Sequence, residues 1–277
     1  MHASEFDYYR AGTVEEAVAL LGDHEGARPV AGAHDLLLRM KTGETAPPAL
    51  VDISGIDGLR GIDHDDEAVS VGALANHADV AASEVVREHA GALAEAAAAV
   101  GDTQVRNGGT VGGNLASGDP RVDPAAAVLA LDGSVVAVGP DGERTIDATA
   151  FFLGPRETAL GDQEVLTELR VAAGGTSSYR KRRNPLSGYA TVGVAAWAAV
   201  EDGAVADARV AATAVGPAPV RLRAVEEALV GGTDGEAAAA RAGEAFEESE
   251  VRTDPQTSAA YRLHALSAYT ERAIKAL

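Results

Sequence analysis

The chain has 277 residues, no cysteine, and 23 basic against 42 acidic side chains, for a formal charge of −19. That length supports two modest domains and a sizeable core, and the missing thiols exclude disulfides, cysteine nucleophiles and iron–sulfur ligation by this chain. The charge repels polyanions, so nucleic acid is not an expected partner, and no run approaches the roughly 18 apolar residues of a membrane span.

The opening residues "MHASEFDYYRAGTVEEA" carry neither the basic start nor the apolar core of a secretory leader, so the mature chain is expected to begin here and to be cytoplasmic. Residues 13–22, "TVEEAVALLG", read as a helix with Thr13 and Glu16 as a capping box and Gly22 as its stop. "ARPVAGAHDLLLRMKTG" gives a short strand, a small-residue turn Ala31-Gly32-Ala33, and an apolar run from Leu36 that is either helix or buried connection. "PPALVDISGI" and "AVSVGALANHADV" supply two strands, the second followed by a helix capped by Asn76 with Asp79 in its first turn. An alanine-rich helix is expected over 88–100, ended by Gly101. Further on come a helix in "DPAAAVLALDG" and a hairpin in "SVVAVGPDGERTI" with Asp141-Gly142 at its turn.

"GGTSS", residues 174–178, is the one good linker candidate, and the domain boundary is placed there. Beyond it, two long small-residue strands are joined by Asp202-Gly203. "PVRLRAVEEALVG" and the terminal "SAAYRLHALSAYTERAIKAL" read as amphipathic helices, the last with Leu263, Leu266, Ala273, Ile274 and Leu277 at helical spacing. An acidic helix around Ala237–Ser249 reads as a solvated face. Acids are dispersed along the chain and only Lys41, Lys181 and Lys275 are lysines, a pattern that fits a haloadapted surface better than an acidic face for one basic partner.

The densest signal is "VGDTQVRNGGTVGGNLASGDP", which holds Gly108, Gly109, Gly112, Gly113 and Gly118. Glycines serve positive φ angles or close approach of the backbone to something bulky. Either a pair of plain turns or a concave array of amides from Thr110 to Asn114 that grips a diphosphate fits this spacing. The second small-residue turn, "VAGAHDLL", favours the cradle, since two such loops can hold the two ends of one dinucleotide. The order is not the Rossmann fingerprint, there is no Walker lysine or G-x-S-x-G, and the scattered histidines, His34 among them, show no metal-ligand spacing.

Taken in order, "PVAGAHDLLLRMKTG", "VDISGIDGLRGI", "VGALANHADV", the glycine stretch through "RVDPAAAVLALDG", and "YRKRRNPLSGYATVGVAA" resemble the FAD-binding (medium) subunit of molybdenum hydroxylases. The resemblance is to the carbon monoxide dehydrogenase medium-chain and xanthine dehydrogenase FAD-domain type. It implies an α+β fold: a PCMH-type FAD-binding domain over 1–174, with subdomains at about 1–57 and 58–174, then a small antiparallel sheet with helices over 175–277.

The same resemblance implies FAD as the only cofactor, with no catalytic acid–base pair and no metal ligand in this chain. Ala31, Gly32, Ala33, His34 and Asp35 would wrap the diphosphate through their amides, and Thr110, Val111, Gly112, Gly113 and Asn114 from the other side. Asp123 would approach the ribityl and ring region; its plain alternative is helix capping before Pro124. Lys181 would lie near the pyrimidine edge, where a cation favours reduced flavin; its alternative is a surface cation. Leu166 would give apolar contact or simply pack the core, and Tyr179 and Tyr189 are further candidates for stacking.

Two positions depart from the family pattern. Ala33 stands where glycine is common, so its methyl requires a negative φ or a different turn, and Ser187-Gly188 precede Tyr189 where Gly-Asp is common. The partners implied are a large molybdenum-cofactor subunit and a small iron–sulfur subunit in a hetero-oligomer, with electrons passing through FAD to an external acceptor. A flavin-free docking or assembly subunit and a stand-alone flavin oxidase are the alternatives.

Overall fold

A computed structural model describes residues 3–232 and 234–277. The chain opens with β1 (Asp7–Arg10), α1 (Val14–Asp23), β2 (Arg28–Val30), α2 (Leu36–Thr42) and β3 (Ala49–Asp52). The three strands form a parallel sheet in the order β1-β3-β2. Strand alternation sends Val51 toward Ala17 and Leu21 of α1, and Leu50 toward Met40 of α2. Thr13 caps α1 by accepting from the Glu16 amide, but Glu16 reaches back to the Gly12 amide instead of closing a box on Thr13. Gly22 lies inside this helix and does not end it.

The next segment holds β4 (Ile62–His64), β5 (Ala68–Gly72), α3 (His77–Ala82), α4 (Glu84–His89), α5 (Gly91–Ala99), α6 (Thr103–Gly108), α7 (Val111–Ala116) and α8 (Asp123–Ala130). It continues through β6 (Ser134–Gly139), β7 (Gly142–Asp147), α9 (Ala148–Phe151), β8 (Phe152–Gly154), β9 (Glu157–Thr158) and β10 (Val165–Ala172). Five of these strands make a sheet in the order β4-β5-β10-β6-β7. Asn76 caps α3 from its side chain as expected, accepting from the Asp79 amide.

The single alanine-rich helix expected over 88–100 is instead α4 and α5, broken at Ala90. A distant partner makes the break possible, because the Ser177 hydroxyl accepts from the Ala92 amide at 3.0 Å and so caps the start of α5. The helix also ends at Ala99, ahead of Gly101. In the β6–β7 hairpin Gly139 pairs with Gly142, so Pro140 and Asp141 form the turn and Gly142 closes it with φ +101.

The last segment contains β11 (Thr176–Arg183), β12 (Ala190–Glu201), β13 (Ala204–Thr213), β14 (Val220–Arg221), α10 (Arg223–Val230), α11 (Gly235–Ala240) and α12 (Ala259–Ile274). Its four strands run antiparallel in sequence order. Asp202 and Gly203 both have positive φ in the β12–β13 hairpin, the primed turn their dipeptide favours. The linker expected over 174–178 is shorter than that: Gly174 and Gly175 turn with positive φ, and Thr176 already begins β11. The acidic stretch is not one helix either, but α11 followed by short 3-10 turns at Arg241–Ala245 and Glu248–Glu250.

Both faces of β12 are covered, which explains its near-continuous run of small apolar residues. Val192, Val194 and Ala196 pack with Leu229 of α10 and Leu266 of α12. Ala195 and Trp197 face the other way, into a core that α5 and α8 share with the five-stranded sheet. Every residue of α8 is buried, and its alanines let a helix fit between two sheets. The C-terminal sheet is also tied to the loop before α8. The Ala214 amide donates to Pro120 O at 2.7 Å, and the Thr213 hydroxyl lies 2.8 and 3.0 Å from Pro120 O and Val122 O. Arg262, almost fully buried, donates to Ala214 O and to Asp254.

Candidate flavin site

The main cleft, about 450 Å3, lies between the turn after β2, helices α6 and α7, the loop 117–123, the start of β10 and the segment 187–189. The turn after β2 supplies donors. Within residues 31–35, the amides of Ala31, Gly32, Ala33, His34 and Asp35 donate no hydrogen bond among the described residues, and all five residues line the cleft. Ala33 takes φ +61, so the negative φ expected of its methyl is not kept and the chain accepts a left-handed alanine at about 1 kcal/mol. The His34 ring pins the turn through Nδ1, 2.6 Å from Gly32 O.

The glycine stretch supplies shape. It is neither a loop nor a pair of plain turns but the helices α6 and α7, and Gly108, Gly109, Gly112 and Gly113 all have negative φ. Their use is close approach. A Cβ on Gly32 would fall 2.0 Å from Gly108 O, one on Gly108 2.2 Å from the His34 ring, and one on Gly112 2.5 Å from the Ala73 Cβ. The expected array of amide donors is mostly spent inside the fold: Val111 N donates to Ala75 O, Gly112 N to Ala73 O, Gly113 N to Thr110 Oγ1 and Asn114 N to Thr110 O. Among the described residues, only the Thr110 amide of that set donates no bond. Thr110, Gly112, Gly113 and Asn114 line the cleft, whereas Val111 is fully buried in the core beneath it.

Leu166 lines the cleft at the start of β10 while also packing the core. Asp123 lines it too, but does not cap α8; its buried carboxylate accepts from the Tyr179 hydroxyl at 2.5 Å and from Lys181 Nζ at 2.8 Å. Lys181 is neither a surface cation nor part of the lining. It stands behind Asp123 with Nζ also on Ala99 O, its side chain 7% exposed. Tyr179, its hydroxyl on Asp123, is buried in the core and does not line the cleft, and Gly193 leaves room for that hydroxyl. Burial pushes the Asp123 carboxyl above the usual range against the pull of Lys181 and Tyr179. Burial and the adjacent Asp123 also hold the Tyr179 hydroxyl protonated. Tyr189 does line the cleft, with the Arg121 guanidinium 4.2 Å from its ring centre.

The sequence reading missed His77, Asp119 and Arg156 in this wall, and Arg121, which stands outside the lining against Asp119 and Tyr189. Asp119 is nearly fully buried and chelates Arg121 while also meeting Arg156. Burial raises its pKa, but Arg121 and then Arg156 outweigh this and the net shift is downward. The "GDPRVDP" run holds Asp119 and Arg121 two apart, a local signal for such a turn; nothing near Arg156 in sequence points to the cleft.

His77 makes no side-chain hydrogen bond among the described residues, and burial, with His34 and Arg106 nearby, lowers its pKa from 6.5 to about 4. Because the folded value lies below the unfolded one, protonation favours unfolding. The contribution is whole above about pH 6.5 and drains as pH falls toward 4, by roughly 3 kcal/mol in all. Urea unfolding at pH 7, 5.5 and 4.5 should therefore fall less steeply in His77→Gln than in the parent; parallel curves refute this.

These features fit a dinucleotide, whose diphosphate takes donors and whose hydroxyls meet acceptors such as Asn114 Oδ1. There is a turn of unspent amides, a glycine-shaped wall opposite it, and two buried polar atoms without partners among the described residues, His77 Nδ1 and Asn114 Oδ1. Residues 4–173 match the family described as FAD binding domain in molybdopterin dehydrogenase, and residues 177–277 match the CO dehydrogenase flavoprotein C-terminal domain. The carbon monoxide dehydrogenase medium chain of Hydrogenophaga pseudoflava is 36% identical over 276 residues, covering 98% of this chain and 96% of that one. The glyceraldehyde dehydrogenase medium chain of Sulfolobus acidocaldarius is 29% identical over 233 residues, covering 83% of each.

Among solved structures, a chain of the Hydrogenophaga pseudoflava carbon monoxide dehydrogenase superposes with a TM-score of 0.93 at 36% identity, covering 100% of this chain and 98% of that chain. One of quinoline 2-oxidoreductase from Pseudomonas putida 86 gives 0.91 at 28% identity, with the same coverage. Fold, cleft and relatives together define a flavoprotein, an oxidoreductase subunit whose cofactor is FAD. The chain belongs to the FAD-binding medium subunits of the molybdenum hydroxylase family.

Proposed function

We propose that this chain is the electron-transfer subunit of a cytoplasmic molybdenum hydroxylase complex. A small partner would pass electrons to it from iron–sulfur clusters, a large partner would hold the molybdenum centre and oxidise the substrate, and an external acceptor would take the electrons on. When bound, FAD supplies the exchange between one-electron and two-electron transfer. The observation that carries the reading is the run of unspent amides at 31–35 facing the glycine wall of α6 and α7.

In this reading the amides of Ala31 to Asp35 hold the diphosphate, and Thr110, Gly112, Gly113 and Asn114 close the other side. Leu166 and Tyr189 meet the ring. Asp123, fixed from behind by Lys181 and Tyr179, presents a polar group to the ribityl side. The FAD-binding part spans 1–174 and the remainder is a C-terminal domain. No helix of the described residues is long and apolar enough to cross a membrane. The dispersed acidic surface fits a high-salt interior.

The test is the visible spectrum of the chain, purified in high salt, mixed with FAD and desalted. Retained flavin that is not reduced by carbon monoxide, aldehydes or purines until partner subunits are added supports the reading. A folded chain that retains no flavin even within its assembled complex favours a docking subunit, and reduction by such a substrate in isolation favours an oxidase.

A further inference from the structure

Arg156 sits in the turn between β8 and β9, far in sequence from both cofactor loops, and its backbone is docked before its side chain reaches anything. Its amide donates to Gly118 O at 2.8 Å, and Gly118 has no Cβ because one would fall 2.9 Å from the Arg156 backbone. Arg156 itself adopts φ +64, a left-handed conformation unusual for arginine. From that anchor the guanidinium forks. Nη1 lies 3.1 Å from both carboxylate oxygens of Asp35, at the end of the amide-bearing turn. Nη2 lies 2.9 Å from Oδ2 of the nearly buried Asp119, in the loop that follows α7. Nε lies 3.4 Å from Glu44, just after α2.

We propose that Arg156 is the strut that sets the aperture of the flavin cleft, holding the turn 31–35 and the loop 117–123 at one fixed separation so that both engage FAD at once. The proposal rests on those loops being the FAD site. The geometry needs arginine, since a planar guanidinium presents donors in two directions, whereas a lysine ammonium is a point charge that cannot span two carboxylates in the same way. It also explains why Asp35 is an acid in a turn that faces a cofactor anion. Arg39, Arg121 and Arg156 balance Asp35, Glu44 and Asp119, so this network brings no net charge to the cleft and acts through position. Arg156 is therefore a positioning residue, not a catalytic one.

The experiment compares Arg156→Asn, which tolerates the left-handed backbone, Arg156→Lys and Asp35→Asn with the parent. Each full-length chain is loaded with FAD, and flavin release is followed by the rise in flavin fluorescence on dilution. Melting of the flavin-free chain is recorded alongside. The expected result is release faster by about tenfold or more in Arg156→Asn, consistent with losing a charge-assisted pair, partial rescue by Lys, and flavin-free melting within a few degrees of the parent. Arg156→Asn combined with Asp35→Asn should release FAD no faster than Arg156→Asn alone.

Release within twofold of the parent, or a release change matched by an equal loss in the flavin-free melt, overturns the strut while leaving the flavin site standing. A parent that takes up no FAD overturns both. If Arg156→Asn does not fold, Asp35→Asn alone decides, with unchanged release counting against the strut.

Discussion

Gly32→Ala should abolish stable FAD binding while leaving most of the fold intact. A methyl at this position would lie 2.0 Å from Gly108 O, an oxygen carried by helix backbone and not by a side chain that can swing aside. Relief requires the turn 31–35 and α6 to part by more than an ångström. Overpacking of this kind costs about 1–3 kcal/mol, and a displacement of that size in a pre-formed site weakens engagement by roughly 100-fold. Gly112→Ala meets the Ala73 Cβ at 2.5 Å and should behave alike, whereas Gly61→Ala, with open space around its Cβ, should be silent. Titration of each variant with FAD by fluorescence quenching, beside urea unfolding, separates the two effects. An affinity for Gly32→Ala within threefold of the parent would show that the loops are not held as closely as described.

The second large effect is predicted at Asp123. Its carboxylate and the Lys181 ammonium are both nearly buried and 2.8 Å apart, so neither ion has water to fall back on. Asp123→Asn keeps the volume but leaves Lys181 with only the Ala99 carbonyl and an amide in place of its counter-ion. Removing one partner of a buried pair costs about 3–5 kcal/mol, mostly from the charge left behind. Adding Lys181→Met should recover a large part of that loss, because the uncompensated charge goes with it. Equilibrium unfolding of the two single variants and the double variant measures the coupling. Strictly additive losses, or a loss under 1 kcal/mol in Asp123→Asn, would mean that the pair is solvated in a way its burial denies.

Local chemistry made much of the fold legible. Thr13 and Asn76 cap the helices they were expected to cap, and Asp202-Gly203 turns the hairpin its dipeptide favours. The amide-bearing turn at 31–35 was also readable, as a run of small residues between a strand and an apolar helix. What stayed hidden depends on partners distant in the chain. Gly32 is glycine because of Gly108, and α5 begins at Gly91 because Ser177 caps it. Arg156 reaches the cleft only through the backbone at Gly118. Lys181 was expected near the pyrimidine edge or at the surface and not behind Asp123, since strand alternation gives a face and not a depth. The reading of "NGGTVGGN" as a donor array failed for a related reason: spacing shows where amides are exposed by small side chains, not which carbonyls already hold them.

The hydrogen bonds from Thr213 and Ala214 to Pro120 and Val122, together with the hold of Tyr179 and Lys181 on Asp123, have a consequence for heredity as much as for folding. The two matched segments of this chain meet at Asp123 in the wall of the cleft, so a gene that recombined near codon 174 would join a wall from one lineage to supports from another. Such a chimera inherits every residue that lines the cleft up to Leu166, while the strand that sets the depth of Asp123 comes from the other lineage. Where the two halves are inherited together, substitutions at 123, 179 and 181 are free to drift only as a set, whereas Pro120 and Val122 lend Thr213 backbone carbonyls that a change of side chain leaves in place.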